Sequence, residues 1–222
     1  MADTKTKEVT ETTVKAVASV DKYKNVILVL AGVIALAAGG YFFYQYQLGE
    51  SNKEAQNEIY PAVYFFEQDS LDKALKGDGK VLGLLDVADK YSGTKTAKLA
   101  HFYAGVAYLK QGKFDDAISH LNDFSSDDFL LQARAYSLIG DANMELEKYE
   151  EAASYYNKAA NYKANEQFSP TYLMKLALAY ELLKDNSKAA DTYDIIITKY
   201  PKSSDIIDAK KYKARAESLA TE

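Results

Sequence analysis

Apolar and small residues recur along the chain at helical spacing. In "GVAYLKQGKFDDAISHL", Gly105, Ala107, Tyr108, Leu109, Phe114, Ala117, Ile118 and Leu121 are apolar or small, and a polar break separates two groups. Two short helices folded back on each other give this pattern: small residues mark where backbones approach, and larger ones fill the space beside them. The pattern repeats. His101, Ala104, Gly105, Tyr108, Ala117 and Leu121 align with Tyr136, Ile139, Gly140, Asn143, Ala152 and Tyr156. They align again with Leu173, Leu176, Ala177, Tyr180, Ala189 and Tyr193, where Pro201 closes the copy. The small pivots stand 35 residues apart from Gly105 to Gly140 and 37 from Gly140 to Ala177.

That period is close to the ~34 residues of a tetratricopeptide repeat. Residues 98 to 202 resemble such repeats, each a helix, a turn and an antiparallel helix. The match is degenerate. The aromatic slot holds His101, Tyr136 and Leu173 instead of Trp, and Asn143 stands where a large aromatic is usual. The expected fold is all-α: one N-terminal transmembrane helix followed by a tetratricopeptide helical solenoid.

Punctuation agrees. The turns inside the pairs read "KQGKF", "ELEKYE" and "KDNSK", and only the first has Gly to ease the reversal. "SSDD" before Phe129 and Ser169 before Pro170 signal helix starts, and "PKSS" after Tyr200 ends one helix and caps the next. The expected units are a divergent one at 51–92, repeats at about 98–132, 133–169 and 170–202, and a capping helix at 203–220. This makes nine helices and no strands.

Ahead of them lies "VILVLAGVIALAAGGYFFYQY", Val26 to Tyr46, 21 residues without a charge. As a helix it spans roughly 31 Å, enough for a bilayer core. Lys15, Lys22 and Lys24 precede it, and Glu50, Lys53, Glu54 and Glu58 follow, which favours a cytoplasmic N-terminus. Tyr41, Tyr44 and Tyr46 would then form an outer aromatic belt. The layout is a disordered tail at 1–25, a span at 26–46 and a periplasmic repeat domain at 47–222 in the inner membrane. The alternative is a cleaved signal peptide, with "ALA" at 35–37 as its processing site; the apolar run continuing through Phe43 argues against it.

Charge narrows the partners. Residues 1–25 carry +1, which leaves −6 of the net −5 for the remainder, a poor surface for nucleic acid. The basic cluster Lys210, Lys211, Lys213 and Arg215 reads as a solvated helix face. With no Cys there is neither disulfide nor thiolate chemistry. His101 and His120 are the only histidines, and packing explains them better than a metal does. "KGDGK" at 76–80 lacks the P-loop pattern and reads as a loop. No nucleophile has a base at a recognisable spacing, so no catalysis, cofactor, metal or small-molecule substrate is expected.

Binding remains. In a solenoid of this kind the first helix of each pair lines the concave face. Phased from the pivots, the lining comprises Phe102, Val106 and Leu109, then Arg134, Ser137, Asp141 and Met144, then Thr171, Met174, Leu178 and Glu181. Such a mostly apolar groove suits an amphipathic helix or an extended apolar segment. It could equally be filled by the chain's own "IYPAVYFFEQDSL" at 59–71 or by its last helix.

The layout over residues 20–220 is similar to the YfgM-like ancillary subunits of the SecYEG translocon. The resemblance implies a periplasmic, chaperone-like scaffold that works with a PpiD-type parvulin isomerase and receives chains emerging from the channel. Two other readings stand beside it. One is an envelope scaffold resembling the Tol-Pal-associated cell division coordinator; the other is a regulatory subunit of a membrane hydrolase.

Overall fold

The computed structural model describes residues 2–221, with side chains from residue 23 onward except Ile27. Met1 and Glu222, the outermost residues of the expected segments, lie outside it. Ten helices and no strand occur among the described residues. They are α1 (Ala2–Glu67), α2 (Leu71–Lys76), α3 (Leu84–Lys90), α4 (Lys95–Lys110), α5 (Phe114–Asp123), α6 (Phe129–Glu145), α7 (Tyr149–Asn161), α8 (Ser169–Leu182), α9 (Asn186–Lys199) and α10 (Ile206–Ala220). The chain divides into two compact units, Met1–Glu50 and Ser51–Glu222.

The first unit is helix. Residues 2–25, expected to be disordered, lie within α1. No Gly or Pro precedes Gly32, so nothing stops a helix from propagating back from the apolar run. The most apolar stretch of α1 has a mean hydropathy of 2.4 and none of it is buried, so by length and composition this helix could cross a membrane.

The second unit is a row of helix pairs. Residues 51–67 of α1 supply its first helix, whose Ala55, Ile59 and Ala62 share one core with residues of α2, α3 and α4. This corrects the count of nine: the region 51–92 holds three helical pieces, because Gly77 (φ +75°) and Gly79 (φ +86°) break the second helix in a loop. Asp78 Oδ1 closes that loop by accepting from the backbone N–H groups of Lys80 and Val81, at 3.0 and 3.2 Å. The "KGDGK" stretch is thus a turn.

The pairs α4/α5, α6/α7 and α8/α9 follow, and α10 packs on α9. The pivots act as the spacing suggests. A Cβ on Gly105 would lie 2.5 Å from Leu121 Cγ, and one on Gly140 would lie 2.5 Å from Tyr156 Cε1. In the third pair Ala177 and Tyr193 are both buried. A small residue on the first helix therefore receives a large side chain from the second, which fixes how closely the two helices approach.

The three turns share one conformation. Gly112, Glu147 and Lys184 all adopt left-handed φ, at +72°, +57° and +59°. The next residue's N–H then reaches back to the carbonyls of Tyr108, Asn143 and Tyr180 respectively. These are Schellman-type ends, and two of them are made without glycine. Asp69 (φ +56°) ends α1 in the same way, with Ser70 N–H on the Phe65 carbonyl.

Helix starts vary. Asp128 caps α6, its Oδ1 accepting from the N–H groups of Leu130 and Leu131 at 2.8 and 2.9 Å. Ser169 does not cap α8 as its place before Pro170 suggests. Its hydroxyl donates instead to the Ala160 carbonyl at 2.8 Å, and Asn165 Oδ1 accepts from Phe168 N–H. Asn143, in the slot where an aromatic is usual, is buried and donates to the Ile139 carbonyl on its own helix at 2.8 Å.

Candidate protein-binding surface

The expected lining residues fall into three groups. Phe102 is core: it is 6% exposed and packs on Phe124 at 5.1 Å, with Val106 and Leu109 laid against the same cluster. The placement of Phe102 in an open groove is thus corrected, because the second helix and the next repeat close over it. Ser137 is buried as well, and Met144 and Met174 rest partly buried on the C-terminal core.

The acidic members are occupied by the fold itself. Asp141 accepts the Tyr156 hydroxyl at 2.7 Å from within its own repeat. It also accepts the Lys175 ammonium from the next repeat, at 2.8 Å to Oδ1 and 2.7 Å to Oδ2. Glu181 repeats the arrangement: Tyr193 donates to Oε1 at 3.2 Å, and Arg215 of α10 pairs with Oε2. Burial first, then the carboxylate beside each, pushes both the Tyr156 and Tyr193 phenols well above the ordinary tyrosine value. These phenols stay protonated and donate. Thr171 donates to Asp205 at 3.1 Å.

Of the expected lining, Arg134, Thr171 and Leu178 remain exposed. Met174, Leu178 and Glu181 do come together. They share a cleft of about 350 Å³ with Lys175, Tyr193, Tyr212 and Arg215, so α10 forms one of its walls. The last helix covers the end of the groove, as one of the two self-filling arrangements anticipates. The segment 59–71 does not. Its Ile59 and Ala62 are buried against α4 as part of the first helix of the row.

The open apolar surface lies further toward the N-terminus. Between α1 and α4 runs a cleft of about 460 Å³ lined by Ile59, Tyr60, Val63, Leu99 and Tyr103, with Gln56, Lys95 and Thr96 at its polar edge. Tyr60 and Tyr64 are 78% and 57% exposed, large rings that the fold leaves in water. Asn52 Oδ1 pins the two walls together by accepting from the Thr96 N–H at 3.0 Å and its hydroxyl at 3.1 Å. A second cleft of about 480 Å³ continues from Lys95 and Leu99 to Phe124, Ser126 and Leu131.

The repeat phase does not point to this cleft, although the sequence carries a signal for it. Gln56, Ile59, Tyr60 and Val63 form a stripe at three-to-four spacing, and Leu99 and Tyr103 lie four apart. A stripe wider than the buried face marks the surplus. Among the described residues no three His, Asp or Glu side chains gather as metal ligands do.

Residues 102–167 and 172–203 each match a tetratricopeptide-repeat family. The chain carries tetratricopeptide repeats. Solved structures agree on the fold. A Podosopora anserina protein with nearly identical TPR-like repeats superposes with a TM-score of 0.57 at 12% identity, over 77% of this chain and 88% of its own. MamA protein superposes with a TM-score of 0.50 at 20% identity, over 78% and 90%. At these identities the likeness speaks for the fold alone. No curated protein matches the chain in sequence. Tetratricopeptide repeats are protein–protein interaction scaffolds.

Proposed function

We propose that the protein is a non-enzymatic scaffold held in the inner membrane by the uncharged run of α1, with its N-terminus cytoplasmic and its repeat domain periplasmic. It serves there as a chaperone-like ancillary subunit of the Sec translocon. Its partners are SecYEG channel subunits, a PpiD-type parvulin isomerase and secretory chains as they emerge.

One observation carries this reading: a chain with a charge-free run of 21 residues, its most apolar stretch unburied, also presents an apolar cleft with the exposed Tyr60 at its rim. Tethering raises the local concentration of the cleft toward chains at the same membrane, so weak contacts suffice. Exposed Tyr60 supplies apolar area at low entropic cost. The mechanism is holding and positioning, with no bond made or broken.

Mass spectrometry of what co-purifies with the full chain from mildly solubilised membranes tests the proposal. Channel subunits together with a parvulin-type isomerase are expected. Tol-Pal or division proteins, a co-purifying hydrolase, or a processed chain beginning near Ala38 in the soluble fraction would each overturn it.

A further inference from the structure

The first repeat holds a contact for which the other two have no equivalent. His101 on α4 and His120 on α5 face each other with Nδ1 to Nδ1 at 2.9 Å and ring centroids 5.2 Å apart. Tyr108 lies stacked on the His120 ring, 5.3 Å between centroids and 20° between planes. Asp123 Oδ2 stands 4.0 Å from His101 Nδ1.

At 2.9 Å one nitrogen must carry a hydrogen and the other a lone pair. Two neutral rings satisfy this, and so does one neutral ring with one cation. Two cations do not, because both nitrogens would then be donors and two charges would face each other.

We propose that the His101–His120 contact is an acid-sensitive clasp, closed when at least one ring is neutral and opened by double protonation, that regulates the α1/α4 cleft. His101 sits on α4 between Leu99 and Tyr103, which line that cleft. Loosening α4 from α5 therefore disturbs one wall of the cleft. This rests on the reading of the cleft as the binding site.

The charges around the clasp come from few groups. α5 brings Asp116 and Asp123, both of which favour protonation of His120, while burial and then the His101 charge hold His120 below its ordinary 6.5. α4 brings Tyr108, with Lys113 over its ring at 5.6 Å. α6 meets this helix pair with Ala135 and Ile139, and α7 meets it with Tyr155, whose hydroxyl donates to Asn122 at 3.1 Å. Lys148, before α7, pairs with Asp115 at 3.5 Å. At the far end of α4, Lys110 pairs with Asp69 beside α2, and α3 packs through Val87 and Ala88.

The sign follows from His120. Between its lowered folded value and the ordinary one, the unfolded chain binds more protons. Stability is complete above the ordinary histidine value and is lost as pH falls through the lowered one.

The test uses the full chain in detergent micelles between pH 7.5 and 5. The wild type should lose a few degrees more of thermal midpoint than His120→Gln, which keeps a polar group but cannot titrate. Ring-nitrogen NMR should show His120 half-protonated below pH 6.5. Equal acid losses in the two chains, or a His120 ring titrating at or above 6.5, would overturn the clasp; the NMR result decides alone if the variant does not fold. Fluorescently labelled, permanently unfolded α-lactalbumin serves as the probe for release. It should bind several-fold more weakly at pH 5.5 than at pH 7.5 in the wild type and equally at both in His120→Gln. Equal binding at both pH values in the wild type overturns the release step only. No binding at either pH overturns the scaffold reading and the release step together, while NMR still decides the clasp.

Discussion

Lys175 on α8 places its ammonium 2.7 Å from Asp141 Oδ2 on α6, across 34 residues of sequence. The Tyr156 hydroxyl reaches the same carboxylate at 2.7 Å, so one acid ties a repeat internally and to its successor. Glu181 does the same with Tyr193 and Arg215, across 34 residues to α10. In a solenoid each repeat is stabilised only by its neighbours, so such joints decide whether the row unfolds as one unit.

Removing the joint should therefore cost more than a surface ion pair. Asp141→Ala is expected to destabilise the repeat domain by about 1–3 kcal/mol, because it strips charge-assisted bonds from partly buried donors. Urea unfolding followed by circular dichroism measures this. A change within about 0.5 kcal/mol, typical of exposed sites, would show that the joint carries no load.

The same joints set an alkaline limit. The Tyr156 and Tyr193 phenols are raised in the folded chain, so above the ordinary value of 10 the unfolded chain loses protons that the folded one keeps. Their contribution is complete below that value and falls as pH rises beyond it. The thermal midpoint should drop more steeply above pH 10 in the wild type than in a Tyr156→Phe, Tyr193→Phe chain. Parallel curves would contradict this.

How much of this was legible in the sequence depends on what each residue's neighbours are. The pivots Gly105, Gly140 and Ala177 were legible because close approach of two helices leaves room only for small residues, and the spacing repeats. The site was harder. Asp141 and Glu181 look like groove readers from one helix alone, and only the packed fold brings Tyr156, Lys175, Tyr193 and Arg215 onto them. Phe102 and Tyr60 are both aromatics on first helices, yet one is buried and the other 78% exposed. The difference lies in which neighbours cover them: α5 and α6 close over Phe102, whereas Tyr60 lies on the open side of the first helix.

The turns offer a simple gain. Lys184 holds left-handed φ at +59° where the first repeat uses Gly112 at +72°. Relief of that strain should make Lys184→Gly more stable by up to about 1 kcal/mol, less the added freedom of the unfolded chain. Gly112→Ala should lose a similar amount. Thermal midpoints moving in the opposite directions would contradict the shared turn geometry.

At the pivots the direction reverses. Gly140→Leu sets a side chain where even a Cβ would lie 2.5 Å from the Tyr156 ring, and should cost about 1–3 kcal/mol. An unchanged thermal midpoint would contradict the repeat register.

In the proposed function the α1/α4 cleft receives other proteins at the membrane. Tyr60 is exposed at its rim, whereas Glu150 is exposed on α7, a second helix of a pair. The most direct measurement is photo-crosslinking in native membranes, with p-benzoylphenylalanine placed at one of these two positions. Crosslinks are expected from position 60 to emerging secretory chains or channel subunits, and none from position 150. Equal crosslinking at both positions, or none at position 60, would contradict the proposed function.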